Sequence, residues 1–395
     1  MKVVFEKNAL LEVIAPAASI AAIRHIEANI EGVLMECPGE QENTCRLTAY
    51  DMEKGMRTSL PCEIIEEGTI LVNAQSLLMI LRSLNAPEVT LETDEKLTRV
   101  TVSSGKAKFT IGIQSGERFP TVPLLSGDKN YTLPQHVLRD IIQRTIYAVN
   151  ENDQRSNFTG LLFSVEGTRL LVVGCDGSRL ALAHARLSEE STPASVIVPK
   201  KLLNELLKVM KDTEDEIHIA MTQKHIIFTC GAFYYFTRLI EGQYIDYMRI
   251  MPKEYKTVVT VSLNALRTAV SQAQLVAEDK FGGNDSPFVR FDVSEDKIHL
   301  SSVSAGGQID TDIEAGLEGE PIAIGFNCRY LVDALKNAPA DAECVRLGMN
   351  TPVLGMAVEK TDCSGTRGYI LCEELTEEEE AGAFLDYIMP VRMNR

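Results

Sequence analysis

The chain has 395 residues, 45% of them hydrophobic and 24% charged, which excludes a disordered or fibrous polymer and leaves room for about two to four globular domains. Asp and Glu outnumber Lys and Arg by 56 to 39, for a formal net charge of −17, so bulk charge alone argues against nucleic acid as a partner. No apolar run approaches the roughly 18 to 20 residues of a spanning helix, and MKVVFEKNALLEV lacks the regions of a secretion signal.

In chain order, the first third predicts helices over 7–25 and 75–85 and a strand at KFTIGI, 108–113. The middle third is the most legible. YTL is a short strand, and 135–149 carries apolar residues at 137, 138, 141, 142, 146 and 149, a helical spacing. Residues 160–187 read as a meander with EG and DG turns, followed by the strand SVIVP. Leucines 202, 203, 206 and 207 make one stripe on a helix over 200–210, and EIHIAMT, HIIFTC and FYYFTRL close the segment as hairpin strands. The last third predicts helices over 263–277 and 328–337.

These elements repeat. VVFEKNAL (3–10), YTLPQHVL (131–138) and VTVSLNAL (259–266) align at an offset of 128 residues, with Leu10, Leu138 and Leu266 in one column and Gly32, Gly160 and Phe288 in another. VNAQSLLMIL (72–81), VPKKLLNELL (198–207) and FNCRYLVDAL (326–335) continue the pattern. A period this long is a domain, not a solenoid unit. The expected organisation is three tandem copies, 1–127, 128–253 and 254–395, each a twofold βαβββ pattern. Helices on one face of antiparallel sheet make the fold class α+β.

Over the six predicted helices Lys and Arg exceed Asp and Glu by 8, which leaves −25 for everything else. Helices that face one surface would give a basic lining inside an acidic shell, and diffuse positive charge is all that phosphate-backbone binding requires. The acidic run EELTEEEE at 373–380 reads as a solvated loop. Nine cysteines, at 37, 45, 62, 175, 230, 328, 344, 363 and 372, form no CxxC pair and have no neighbouring His, so reduced thiols and a cytoplasmic protein without a metal site are expected. Phosphate-loop and zinc-protease motifs are absent, and GCDGSRL lacks the second glycine of a nucleophile elbow. His25 and His184 read as surface or satisfied histidines. No enzyme and no cofactor is expected. The residues alone leave two classes open, a protein that encircles DNA and an acidic interaction scaffold; a triplicated enzyme comes third.

The order of GLLF (160–163), CDGSRLA (175–181), SVIVPKK (195–201), EGQYIDYMRIMPK (241–253) and YIMPVR (387–392), on three tandem copies, resembles the bacterial DNA polymerase III beta subunit, the sliding clamp family. The resemblance covers essentially the whole chain. It implies the DNA clamp fold, with helices lining a ring and sheets outside. It also implies a head-to-tail homodimer around double-stranded DNA, and a non-enzymatic processivity factor whose partners are the replicative polymerase, a clamp loader and other proteins bearing a clamp-binding motif.

The resemblance further implies a partner-peptide cleft formed by Phe158, Cys175, Gly177, Ser178, Arg179, Leu180, Ile245, Arg249, Ile250, Val353, Gly355, Met389, Pro390, Val391, Arg392 and Met393. An aliphatic and Met-rich site adapts to several peptides, and Arg179, Arg249 and Arg392 are expected to fix a peptide carboxylate or carbonyl. Ser178 stands where the family usually has His, and Ile245 where it often has Pro. The stretch 363–385 lengthens the loop before the last strand. For DNA the implied residues are Arg24, with Arg82, Arg144, Lys200, Lys201, Lys208, Lys211, Arg267, Arg329 and Lys336 as a diffuse lining. For ring closure they are Phe109 and Ile111 against Leu275 and Val276, with Lys106 and Lys108 opposite acids such as Glu295 and Asp296.

Overall fold

A computed structural model describes residues 1–21, 30–39, 43–120, 122, 127–252, 254–277, 288–304, 306–338, 342–361 and 384–391. Arg24, His25, Arg392, Met393 and the acidic run 373–380 therefore lie outside the described residues. Six α-helices are present among them: α1 (Lys7–Ile20), α2 (Ala74–Ser83), α3 (Gln135–Ile146), α4 (Lys200–Val209), α5 (Leu263–Ala277) and α6 (Cys328–Asn337). None is long and apolar enough to cross a membrane.

Strand register reproduces the sequence repeat. Val3 pairs with Leu91, Tyr131 with Ile219 and Val259 with Leu347, so both members of each pair advance by the 128-residue offset. Gly32 pairs with Asn73, Gly160 with Pro199 and Phe288 with Asn327. A one-residue slip would turn every core side chain outward, so a shared register means a shared core face. Asn73 and Asn327 each cap the following helix by accepting a backbone N–H, from Ser76 and Arg329. Such a cap contributes about 1 kcal/mol. The middle copy has Pro199 at the equivalent position.

The chain divides into two compact units, Met1–His136 with Lys201–Leu239, and Val137–Lys200 with Ile240–Arg395. Each owns one antiparallel sheet. The first holds thirteen strands, from Lys129–Pro134 at one edge to Glu63–Glu66 at the other. The second holds eleven, from Gly160–Cys175 to Pro390–Val391. In the first unit α1 and α2 pack together and bury Leu10, Ile14, Leu77 and Leu81; in the second α5 and α6 do so with Leu266, Val270, Leu331 and Leu335. The i, i+4 spacing of these residues forms the apolar stripe.

The middle copy differs from its expected meander. Gly160–Cys175 and Arg179–Pro199 form one long hairpin, paired from Gly160 with Pro199 to Cys175 with Leu180, and SVIVP is the end of its second strand. The EG pair does not reverse the chain. Gly167 has φ +59° and sits at a register shift opposite Ser191, a bulge within a continuing ladder. The reversal falls at the DG pair, where Gly177 has φ +89°.

The cysteines also depart from the expectation of nine reduced thiols. Cys37, Cys45, Cys62, Cys175, Cys230 and Cys328 are thiols outside any disulfide, whereas Cys344 is disulfide-bonded.

Candidate functional site

The second unit carries an apolar cluster built around the turn of the long hairpin. Phe158, Leu162, Val173, Cys175, Leu180, Leu182, Met251, Ala357, Leu385 and Tyr387 are its buried members, and Tyr244, Ile245, Tyr247, Tyr255 and Met389 pack against it half-buried. Local hydrogen bonds fix its walls. Asp176 Oδ1 accepts the backbone N–H groups of Ser178 and Arg179 at 2.9 and 3.0 Å, closing the turn. Tyr244 donates its hydroxyl to Val173 O, Asn157 donates to Gln243 O, and Met389 N donates to Ser178 O at 2.9 Å. A Cβ at Gly355 would fall 2.4 Å from the Tyr387 ring, so only glycine lets residues 351–355 lie against it.

Large apolar side chains flank this cluster in the open. Met248 and Ile250 follow Tyr247, and Val353, 71% exposed, and Leu354 precede Gly355. Exposed aliphatic groups beside a buried aromatic floor suit an extended apolar segment of another protein.

The sequence-predicted residues divide by role. Phe158, Cys175 and Leu180 are buried, and burial pushes the Cys175 thiol up to about 11, so it packs as an apolar group. Gly177 is the turn, Ser178 is half-buried, and Pro390 and Val391 pair as a short strand with Phe326 and Gly325. Arg249 is exposed and pairs with Asp246 at 2.8 Å. Arg179 is engaged elsewhere than on a peptide. Its Nη1 donates to Asp333 Oδ2 at 2.6 Å, Nη2 to Tyr147 O at 2.7 Å and Nε to Asp176 Oδ2 at 3.1 Å, with the guanidinium over the Tyr330 ring.

Behind Arg179 lies a group that sequence reasoning missed. Asp386 is buried, and the Tyr147 hydroxyl donates to its Oδ1. Burial lifts the Asp386 carboxyl to about 7, although the Tyr147 hydrogen bond and the Arg179 charge pull it down. The Tyr147 phenol is pushed well above its usual value by burial and by that carboxylate. An acid in the middle of the apolar run FLDYI was the available signal. His184 is a satisfied histidine as expected: its Nδ1 accepts from Arg169 Nε at 3.0 Å, and burial followed by the Arg169 charge lowers it to about 3.

Three of the proposed DNA-contacting residues are held inside the chain. Lys200 Nζ donates to Val149 O at 2.7 Å, Arg267 donates twice to Leu335 O in the last turn of α6, and Arg144 pairs with Asp140 at 2.8 Å. Lys201 and Lys208 are exposed but pair with Glu53 and Glu205. Arg82, Lys211, Arg329 and Lys336 are exposed. Among the described residues, no cluster of His, Cys, Asp or Glu could hold a metal ion.

The strand Ala107–Ser115 has an open edge. It pairs with Arg99–Ser104 along 107–112, but with Gly68–Asn73 only at Ile113–Ser115. Phe109 is 38% exposed there, Ile111 is half-buried, and Lys106 and Lys108 are exposed. On α5, Leu275 is 80% exposed and Val276 half-buried, and Glu295 and Asp296 are exposed.

Three models of the DNA polymerase III beta subunit match in order: the N-terminal domain at 1–123, the central domain at 132–246 and the C-terminal domain at 248–370. The chain belongs to the bacterial DNA polymerase III beta subunit family, the sliding clamps. A beta sliding clamp of Staphylococcus epidermidis is 28% identical over 339 residues, 83% of this chain and 86% of that protein. The crystal structure of a putative DNA polymerase III beta subunit from Eubacterium rectale covers all of both chains at 28% identity with a TM-score of 0.88. A sliding clamp from Pseudomonas aeruginosa, solved with griselimycin bound, does so at 25% and 0.86. Sliding clamps are processivity factors of DNA replication, not enzymes, and this chain has that function.

Proposed function

We propose that two copies of this chain close head to tail into a ring of six domains around duplex DNA, with 1–127, 128–253 and 254–395 as the domains of each copy. The observation that carries the reading is the open strand edge at 107–112 with Phe109 exposed on it. An unpaired edge is a template for another chain, and a head-to-tail contact must close into a ring or run on as a filament. Leu275 and Val276 of the second copy supply the apolar counterpart, with Lys106 and Lys108 facing Glu295 and Asp296. Scattered Lys and Arg, Arg24 and Lys211 among them, touch phosphates without reading sequence, so retention comes from topology.

The apolar cluster of the second unit is the docking point for the replicative polymerase, the loader and other proteins carrying a clamp-binding motif, in the cytoplasm. Its support is the pairing of a packed aromatic floor with exposed Met248, Ile250, Val353 and Leu354. Native mass measurement should give twice the 43.6 kDa chain. Protein loaded on nicked circular DNA should be retained until the circle is linearised. Equal retention on short linear duplex at physiological salt would overturn encirclement.

A further inference from the structure

The first repeat holds three cysteines that clamp function does not use. The strands Gly32–Cys37 and Thr44–Tyr50 are antiparallel, their ladder ends with Glu36 opposite Arg46, and Cys37 and Cys45 are the residues that follow on the two facing strands. Cys45 also pairs with Leu60 on its other side, and Cys62, two residues further on, donates its N–H to Asn43 O at 2.9 Å. Side chains two apart along a strand share a face, so all three sulfurs lie on the core side. The three thiols are near enough to shift one another's ionisation, and the Cys45 thiol donates to Arg46 O at 3.8 Å. Cys37 and Cys45 are buried, and Cys62 is only half-buried.

Directly opposed residues of an antiparallel pair have Cα atoms about 4.5 to 5.5 Å apart, within the roughly 4.4 to 6.8 Å that a disulfide spans. Cys37 and Cys62 are separated by a whole strand, about 9 to 10 Å at normal spacing, beyond that reach. Oxidation follows thiolate character and exposure, and here neighbouring cysteines divide the two. The Cys45 hydrogen bond holds the Cys37 thiol below its ordinary value despite burial, whereas burial pushes Cys62 up to about 11. The half-exposed residue is Cys62.

The geometry points to an oxidative modification site at which Cys37 and Cys45 join as a disulfide when the protein meets hydrogen peroxide, with Cys62 marking the opening by which the oxidant enters. The Cys37 sulfur attacks one peroxide oxygen, the O–O bond breaks and water leaves, giving a sulfenic acid. The Cys45 sulfur then attacks the Cys37 sulfur, the S–O bond breaks, and a second water leaves with the thiol proton. Two thiols lose two protons and two electrons, and one peroxide becomes two waters. The product ties two adjacent strands of the first sheet. Cys175 and Cys230 face Leu180 and Ile217 across their strands and the Cys328 thiol donates to Val270 O, so these three serve as internal controls.

The test treats the full-length protein with hydrogen peroxide, blocks the remaining thiols with an alkylating agent and cleaves after glutamate. Glu40 and Glu42 lie between the two cysteines, so a linked pair of peptides reports the bond. The expected result is a Cys37–Cys45 link, with Cys175, Cys230 and Cys328 still alkylated. Cys45→Ser should abolish the link and leave a trappable Cys37 sulfenic acid. Cys62→Ser should change the rate and keep the product. A Cys37–Cys62 link, or unlinked Cys37 and Cys45 in wild-type protein oxidised at the control cysteines, would overturn the proposal without recourse to any variant.

Discussion

Asp386→Asn separates a buried titrating acid from an ordinary ion pair. The strand Phe384–Ile388 is buried at every residue, and Asp386 at its centre shares Tyr147 with Arg179, which takes the tyrosine's carbonyl while the carboxylate takes its hydroxyl. Burial raises the Asp386 carboxyl from 3.8 to about 7. A gap of about 3 pKa units corresponds to about 4 kcal/mol at 1.36 kcal/mol per unit. The folded state holds this proton more tightly than the unfolded state. Its stabilisation is therefore complete below about pH 4 and is lost as the pH rises through about 7. Asparagine keeps an oxygen for the Tyr147 hydroxyl and never ionises, so that loss should vanish. The stability of the variant relative to wild type should climb by up to about 4 kcal/mol between about pH 4 and pH 8. Native-state hydrogen exchange of the strand amides suits the measurement, because a chain with two compact units need not unfold in one transition. A constant offset between the two curves would refute the reasoning, since it would mean that Asp386 stays ionised in the fold.

Arg179→Ala should destabilise the second unit by about 3 to 5 kcal/mol, the usual cost of stripping one partner from a buried charge network, read by the same exchange experiment. Phe109→Asp should give monomers in sedimentation, because it places an unpaired charge in an apolar contact at a cost of several kcal/mol per interface; an unchanged dimer would remove that edge from the assembly. Met389→Glu should weaken binding of a polymerase-derived peptide by about 30-fold or more, the scale of a lost apolar anchor, while leaving the dimer and the circular dichroism unchanged. Ser178→His should shift the same affinity by roughly 1 kcal/mol or less, the net value of one hydrogen bond, and a larger change would make residue 178 a principal contact.

The repeat was legible because a shared core forces a shared register: one apolar column, Leu10, Leu138 and Leu266, is buried in all three copies. Helix positions followed from the same periodicity. The long hairpin was misread at Gly167 because EG marks a left-handed glycine equally well as a turn or a bulge, and only the partner strand decides which. Arginine roles were the least legible. Arg179, Arg267 and the lysine at 200 read as available charges in one dimension, but each is bonded within the chain, to Asp333, Leu335 O and Val149 O, partners 51 to 154 residues away. Asp333 and Asp386 escaped notice for the same reason, since nothing local to either announces an arginine or a tyrosine beside it.

The placement of Arg179 changes what its loss would mean for partner binding. Its guanidinium joins the turn at Asp176, the end of α3 through Tyr147 O, and α6 through Asp333, with each of its three nitrogens bonded to one of them. The next residue, Leu180, is buried in the apolar cluster, and the preceding one, Ser178, accepts from Met389 N. A peptide seated on Leu180, Tyr387 and Met389 would therefore feel Arg179 chiefly through the position of the floor. Buried charge networks of this kind contribute little net stability compared with apolar residues of the same shape, and their best-attested use is to fix one arrangement among several. Here the arrangement fixed is the register of the hairpin turn against the strand Phe384–Ile388 and the Met389 that follows it. Arg179→Lys keeps the charge but cannot reach three separate acceptors at once, so it should loosen that register and weaken every partner peptide by a similar factor, whereas a contact residue would discriminate among them.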